Sequence, residues 1–189
     1  PASNLPSFDL FIAKYSSTGL LTWLKNGQAP SDDRGIAVTT DSQNNIFVTG
    51  QFSDTLTFNG NTYNNLAQNV GLITKLTPAG TTSFLYQMKA GLVVPNDVKI
   101  NASDEVIITG DFLGTFNYIT TSLTTITNVY SRKIFVLKTT NSGAFIWGKS
   151  LGSNNEISAK ALAVDGLKNC YVTGFFKCDL SQLHDAQTA

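Results

Sequence analysis

The chain has 189 residues and a mass of 20.3 kDa, with 13 basic side chains balanced by 13 acidic ones. That balance excludes a nucleic-acid binder, which needs a basic face to displace counterions from phosphates, and 42% hydrophobic residues exclude a disordered tail. One histidine and two cysteines leave little for a zinc site or a disulfide framework, and no apolar run approaches the ~20 residues that span a bilayer.

Along the chain, residues 1–7 are polar, with no basic region ahead of an apolar one, so no signal segment is expected there. The chain opens on Pro1 rather than Met, which suggests a processed or excised piece. The first two predicted strands are Phe11-Ile12-Ala13-Lys14-Tyr15 and Leu20-Leu21-Thr22-Trp23. Gly35-Ile36-Ala37-Val38 and Asn45-Ile46-Phe47-Val48-Thr49-Gly50 follow. Between Thr55 and Tyr63, alternating residues flank Asn59-Gly60, the pairing that a two-residue hairpin turn demands because both central residues need positive φ. A small extra hairpin at an outer rim is expected. Each strand is short and rich in Val, Ile, Phe, Tyr and Thr, and no stretch carries a helical period.

The rest of the chain repeats this set. Phe47-Val48-Thr49-Gly50 returns as Ile107-Ile108-Thr109-Gly110 and as Tyr171-Val172-Thr173-Gly174, offsets of 60 and 64 residues. Lys14, Lys75 and Lys138 recur at 61 and 63, each followed by a glycine (Gly19, Gly80, Gly143) and an aromatic (Trp23, Phe84, Trp147). A third block sets Ile36 and Val38 against Val98 and Ile100, then Leu162 and Val164, with two extra residues expected in the first copy's following turn. Those turns, 41–45, 101–105 and 165–169, are built from Asx, Ser and Gly residues that bond their own backbone.

Four short antiparallel strands per unit suit a β-propeller blade, and in blade order the quoted residues resemble the SBBP-type β-propeller repeats from about Phe8 to Asp179. That resemblance implies an all-β scaffold with an interaction role, in a large secreted or surface-attached bacterial protein or a giant-virus particle. It implies neither one reaction nor one ligand. The expected organisation is a half blade at 8–25 (outer two strands), whole blades at 34–89 and 95–150, a half blade at 159–176 (inner two strands), and a patternless tail at 181–189. This amounts to about three blades, whereas propellers usually need at least ~4 to close. Either the chain is a fragment of a longer protein, or two chains pool their blades into six.

Recurring residues offer candidate chemistry, each set beside a structural alternative. The three lysines suggest an anion ring, but are expected to snorkel to water over the aromatic beneath. Trp23, Phe84 and Trp147 suggest a sugar platform, but are expected to pack between blades. The Thr-Gly pairs are expected to mark a close backbone approach. Asp41, Asn101 and Asp165 hold oxygen ligands, yet lack the spaced carboxylates of a calcium loop and read as Asx turns. Cys170 stands where Ile46 and Val106 stand and reads as a buried free thiol, with no disulfide to Cys178 expected. The sequon Asn101-Ala102-Ser103 is weak on its own. His184 is solitary and no catalytic motif surrounds it. Asp32 and Asp33 project to opposite sides of an extended chain, wrong for two carboxylates sharing a substrate.

The expectation is therefore a non-enzymatic structural and interaction module with no catalytic residues, metal or cofactor and an unassigned ligand site. Its partners are other proteins or further blades, with no nucleic acid and no membrane span, outside the cell or on a virion. The alternatives are a carbohydrate-binding propeller, with glycans as partners, and more remotely a propeller hydrolase.

Overall fold

A computed structural model describes residues 7–65, 69–119, 121–123, 131–152, 155–177 and 184–186, with the backbone alone at 121–123 and 184–186. In chain order the strands are β1 (Phe11–Tyr15), β2 (Leu21–Gln28), β3 (Arg34–Thr40), β4 (Ile46–Phe52), β5 (Thr55–Phe58) and β6 (Asn61–Asn64). Then come β7 (Val70–Leu76), β8 (Thr82–Lys89), β9 (Leu92–Ile100), β10 (Val106–Leu113), β11 (Phe116–Tyr118) and β12 (Thr121–Leu123). The last five are β13 (Lys133–Thr139), β14 (Phe145–Gly152), β15 (Ile157–Val164), β16 (Cys170–Phe176) and β17 (His184–Ala186). The fold is all-β, every pairing among these strands is antiparallel, and no helix of the described residues is long and apolar enough to cross a membrane.

Four sheets follow one another along the chain: β1-β2-β5-β6, then β12-β11-β8-β7-β4-β3, then β17-β14-β13-β10-β9, then β15-β16. The second and third each contain the four strands of one repeat. The two hairpins do not join the sheets of their own repeats. β5–β6, turned at Asn59 (φ 49°) and Gly60 (φ 78°), bonds β2 of the preceding sheet, and β11–β12 likewise bonds β8. β17 takes the same place beside β14, inside a segment whose sequence shows no strand pattern.

The sheets stack face to face, which explains why the middle strands are apolar on both sides rather than alternating. In β4, Ile46, Val48 and Phe52 pack with Leu10, Ile12, Leu72 and Leu76 towards the first sheet. Phe47 instead packs with Ile73, Val93, Val98, Ile108 and Phe135 towards the third. Ile134, Ile157 and Ala159 join the third sheet to the last. First strands gather together: β9 packs on β3 and β4, and β15 on β9 and β10.

The repeat register differs from the sequence expectation in one place. Val38 pairs with Val48, Val98 with Ile108 and Leu162 with Val172, so Val38, Val98 and Leu162 correspond, at the same offsets as the Thr-Gly block. The three turns are of equal length, and the two extra residues assigned to the first copy do not exist. A shift of two residues keeps every side chain on its face, so the pattern alone could not expose the slip. What fixes the register is a bulge. Ile36, Asn96 and Lys160 are each the unpaired extra residue opposite a Thr-Gly pair. The bulge drives a carbonyl into the partner strand: a Cβ on Gly50, Gly110 or Gly174 would lie 2.2, 2.1 or 1.9 Å from the oxygen of Arg34, Val94 or Ser158.

Candidate functional site

The recurring polar residues hold neighbouring sheets together. Lys14 Nζ donates to the Pro78 carbonyl (2.9 Å) in the next sheet's turn, as does Trp23 Nε1 (3.2 Å). Lys75 Nζ donates to Asn141 Oδ1, in the corresponding turn one sheet further on, and lies 3.6 Å from Asp41. Lys138 pairs with Glu105 at 2.6 Å. Neither Lys75 nor Lys138 reaches out into water, so the expected snorkelling is corrected: both ammonium groups sit in ion pairs with side chains largely covered. Only the stem of the idea survives, with Lys75 Nζ 5.2 Å above the Phe47 ring.

Two of the three aromatics, Trp23 and Phe84, pack against the next repeat. Gly80 lies against the Trp23 ring, and Gly143 against Phe84 and Tyr86, which stack at 4.7 Å. The turns are Asx turns. Asp41 Oδ1 accepts from the Gln43 and Asn45 amides (3.0 and 2.8 Å), and Asn101 and Asp165 accept from the matching amides. Hydrogen bonds from Asn45 and Asn141 hold the Asp41 carboxyl at about 2, outweighing the burial that opposes them. Asn101 is buried, and its amide nitrogen donates to Glu105. Among the described residues no group of three or more His, Cys, Asp or Glu is placed to hold a metal ion.

Cys170 is half-buried on β16 rather than fully buried, no strand of the described residues covering the outer edge of β16. Cys178 and the side chain of His184 lie outside the described residues. Asp32 is exposed, accepts from the Phe8 amide (3.1 Å) and pairs with Arg34 (3.2 Å). Asp33 points the other way and is fully buried, with neither carboxylate oxygen in a well-formed hydrogen bond. Its repeat equivalents are Val93 and Ile157, both core residues. Burial pushes the Asp33 carboxyl up to about 7, with the charges of Asp9 and Asp32 adding to the rise and the Ser53 amide opposing it.

One feature is both large and unshared by the middle of the chain. A groove of about 660 Å³ runs along β1 and β3, lined by Phe8, Phe11, Tyr15, Asp33, Ile36 and Val38 among others. Phe11 is 67% exposed, whereas its equivalents Leu72 and Phe135 are 0%. Val38 is 63% exposed against 0% for Val98, and at the other end of the chain Tyr171 is 58% exposed against 0% for Phe47 and Ile107. The open surfaces are thus the edges of β1 and β16, which no strand of the described residues covers. Periodicity predicts these strands, but not Asp33. The signal for Asp33 was a single acid in an otherwise apolar column, visible only once the correct register is known.

No family model matches the chain, and no curated protein matches it.

Proposed function

We propose that the chain is a run of β-propeller blades serving as a non-enzymatic scaffold and interaction module. The observation that carries this reading is the gathering of first strands. β3, β9 and β15 contact one another or each other's neighbours in sequence, while the outer strands are fastened at the rim by exchanged hairpins. Four-stranded sheets whose first strands converge are what a propeller needs around its axis. The fasteners agree with it: Tyr118 Oη donates to the Gly143 carbonyl (2.6 Å), and Asn59 Nδ2 to the equivalent Gly80 carbonyl (3.0 Å). At their recurring positions the charged residues hold backbone or pair with each other, which favours a rigid frame over a reaction centre. The likeness to SBBP-type repeats, and with it a cell-surface or virion setting, rests on the repeated residues alone.

Small-angle scattering of the purified chain tests the architecture, and a glycan array tests the role. The scaffold reading expects a curved wedge of radially arranged sheets and no glycan retained at micromolar concentration. Saturable glycan binding abolished by Trp147→Ala would replace it with the carbohydrate-binding reading.

A further inference from the structure

Each repeat carries a lysine at the same place on its third strand, and the three meet different partners. Lys14 donates to the backbone carbonyl of Pro78 (2.9 Å), and Lys138 pairs with the Glu105 carboxylate (2.6 Å). Of the three, only Lys75 donates to a side-chain carboxamide, that of Asn141, and a carboxylate stands beside both groups. We propose that Lys75 and Asn141 condense spontaneously into an isopeptide bond, with Asp41 as the proton carrier, joining β7 covalently to the turn between β13 and β14. This rests on the contact between the second and third sheets, not on their being blades.

The geometry supplies each part. Lys75 Nζ donates to Asn141 Oδ1, the atom bonded to the electrophilic Cγ, so a small swing of the lysine side chain brings nitrogen onto carbon. Asn141 Nδ2, the leaving nitrogen, donates to Asp41 Oδ2 at 3.0 Å, and that same oxygen lies 3.6 Å from Nζ. A further bond from Nδ2 to the Asp104 carbonyl (3.3 Å) steadies the carboxamide. The Asp41 side chain is 1% exposed and that of Lys75 14%, and Nζ lies 5.2 Å above the Phe47 ring. An amine attacks a carboxamide very slowly when the two are free in water. Holding them in contact supplies effective molarities of roughly 10⁵–10⁸ M, and the covered site keeps water from competing for Cγ.

The step balances without a co-reactant. Lys75 Nζ gives one proton to Asp41 Oδ2, and its lone pair forms a bond to Asn141 Cγ. Asp41 passes the proton to Nδ2, the Cγ–Nδ2 bond breaks with its electron pair going to nitrogen, and the carbonyl re-forms. The second proton of Nζ follows through the same carboxylate, and ammonia departs as ammonium. One ammonium group and one carboxamide thus become one secondary amide and one ammonium ion. Asp41, held at about 2, is ionised at the outset and, being a weak base, keeps a proton only in transit. The Pro78 carbonyl and the Glu105 carboxylate offer no such leaving group, so Lys14 and Lys138 stay unlinked. The hydrogen-bonded triad is the state before reaction, and the energetics of its ion pair belong to that state. A single turnover on the chain itself needs no substrate and goes beyond the scaffold reading without opposing it.

Mass spectrometry of the purified, denatured chain after incubation at neutral pH is the test. The wild-type chain should be lighter than its sequence by one ammonia. Trypsin should fail to cut after Lys75, so that peptide 35–89 appears joined to peptide 139–149. Asp41→Asn places at this turn the residue type that Asn101 supplies at the equivalent one, where it accepts the matching amides, so the fold should persist by circular dichroism. Bond formation in that variant should slow at least ~100-fold. Lys75→Arg keeps the positive charge and should retain full mass. A wild-type chain that keeps its full mass on prolonged incubation and is cut after Lys75 overturns the proposal. Ammonia loss confined to Asn59-Gly60, a pair able to cyclise on its own backbone, overturns it equally. An Asp41→Asn chain that links as fast as wild type overturns Asp41 as the carrier.

Discussion

Asp33→Val should remove a pH dependence that the fold carries. An unfolded aspartate titrates near 3.8, while burial pushes folded Asp33 up to about 7. The folded state therefore holds the proton more tightly. Between those two values the unfolded chain is ionised at this position and the folded chain is protonated, so stability is greatest at low pH and falls as pH rises towards 7. Roughly three pH units at about 1.36 kcal/mol each amount to ~4 kcal/mol. The groove beside Asp33 is open to water, and allowing half for that screening leaves ~2 kcal/mol. The valine found at the same place in the next repeat (Val93) has no such liability, and it fits a site that buries Val93 completely. Urea unfolding followed by circular dichroism between about pH 5 and 7.5 is the assay. It is run in a His184→Gln background, because the chain's one histidine would titrate in that window. Asp41, held at about 2, and Glu105 and Asp165, both held low by hydrogen bonds, lose their contributions only in acid and do not intrude. Two of those three units lie above pH 5, so across the assayed range the wild-type curve should descend by roughly 1 kcal/mol while the variant stays flat. Parallel curves would mean that the carboxylate is solvated in the folded chain and would refute the reasoning.

Gly110→Ala should be among the most damaging small substitutions, because its Cβ would meet the Val94 oxygen at 2.1 Å and the Pro95 Cα at 2.7 Å, both of them backbone atoms. A loss of about 3–5 kcal/mol is expected, and a melting temperature within a couple of degrees of wild type would show that the bulge can relax. Asp111→Ala leaves the Ser158 hydroxyl and the Ala159 amide without the carboxylate that accepts from them at 2.7 and 2.8 Å. The cost should be about 2–3 kcal/mol, seen as faster amide exchange across β15, and unchanged protection there would detach Asp111 from the hold on the last sheet. Lys75→Met keeps the stem over Phe47 but strips Asp41 and Asn141 of their cation, for about 1–2 kcal/mol by thermal unfolding. A neutral result would mean that the apolar stem supplies the whole contribution.

Strand identity, the repeat and the extra hairpin are legible because each depends on neighbours in sequence. β-branched and aromatic runs between Asx turns give the strands, and Asn59-Gly60 gives the hairpin with its two positive φ values. The partner of a hairpin is another matter. Nothing local in Thr55–Phe58 says that it bonds β2 rather than its own sheet, since that choice depends on where sheets lie relative to one another. The bulges are equally silent: Ile36, Asn96 and Lys160 share no chemistry, and only the glycine opposite each records the intruding carbonyl. The roles of the lysines were misread for a related reason. A lysine on a strand looks like a solvent-facing residue until Asn141, 66 positions away from Lys75, is brought beside it. β17 had no signal at all, because His-Asp-Ala has neither alternation nor strand propensity and is held by backbone pairing with β14.

The exchange of hairpins between sheets has a consequence for synthesis on the ribosome. β8 is complete at residue 89, yet the strand that caps its outer edge begins only at Phe116. At roughly 5–20 residues per second, that edge stays bare for a few seconds on every nascent chain. During that interval the hairpin of a neighbouring polypeptide on the same message is as good a partner as its own. Slow stretches of translation just after residue 89 would therefore favour interlocked chains, and fast ones would favour correct closure.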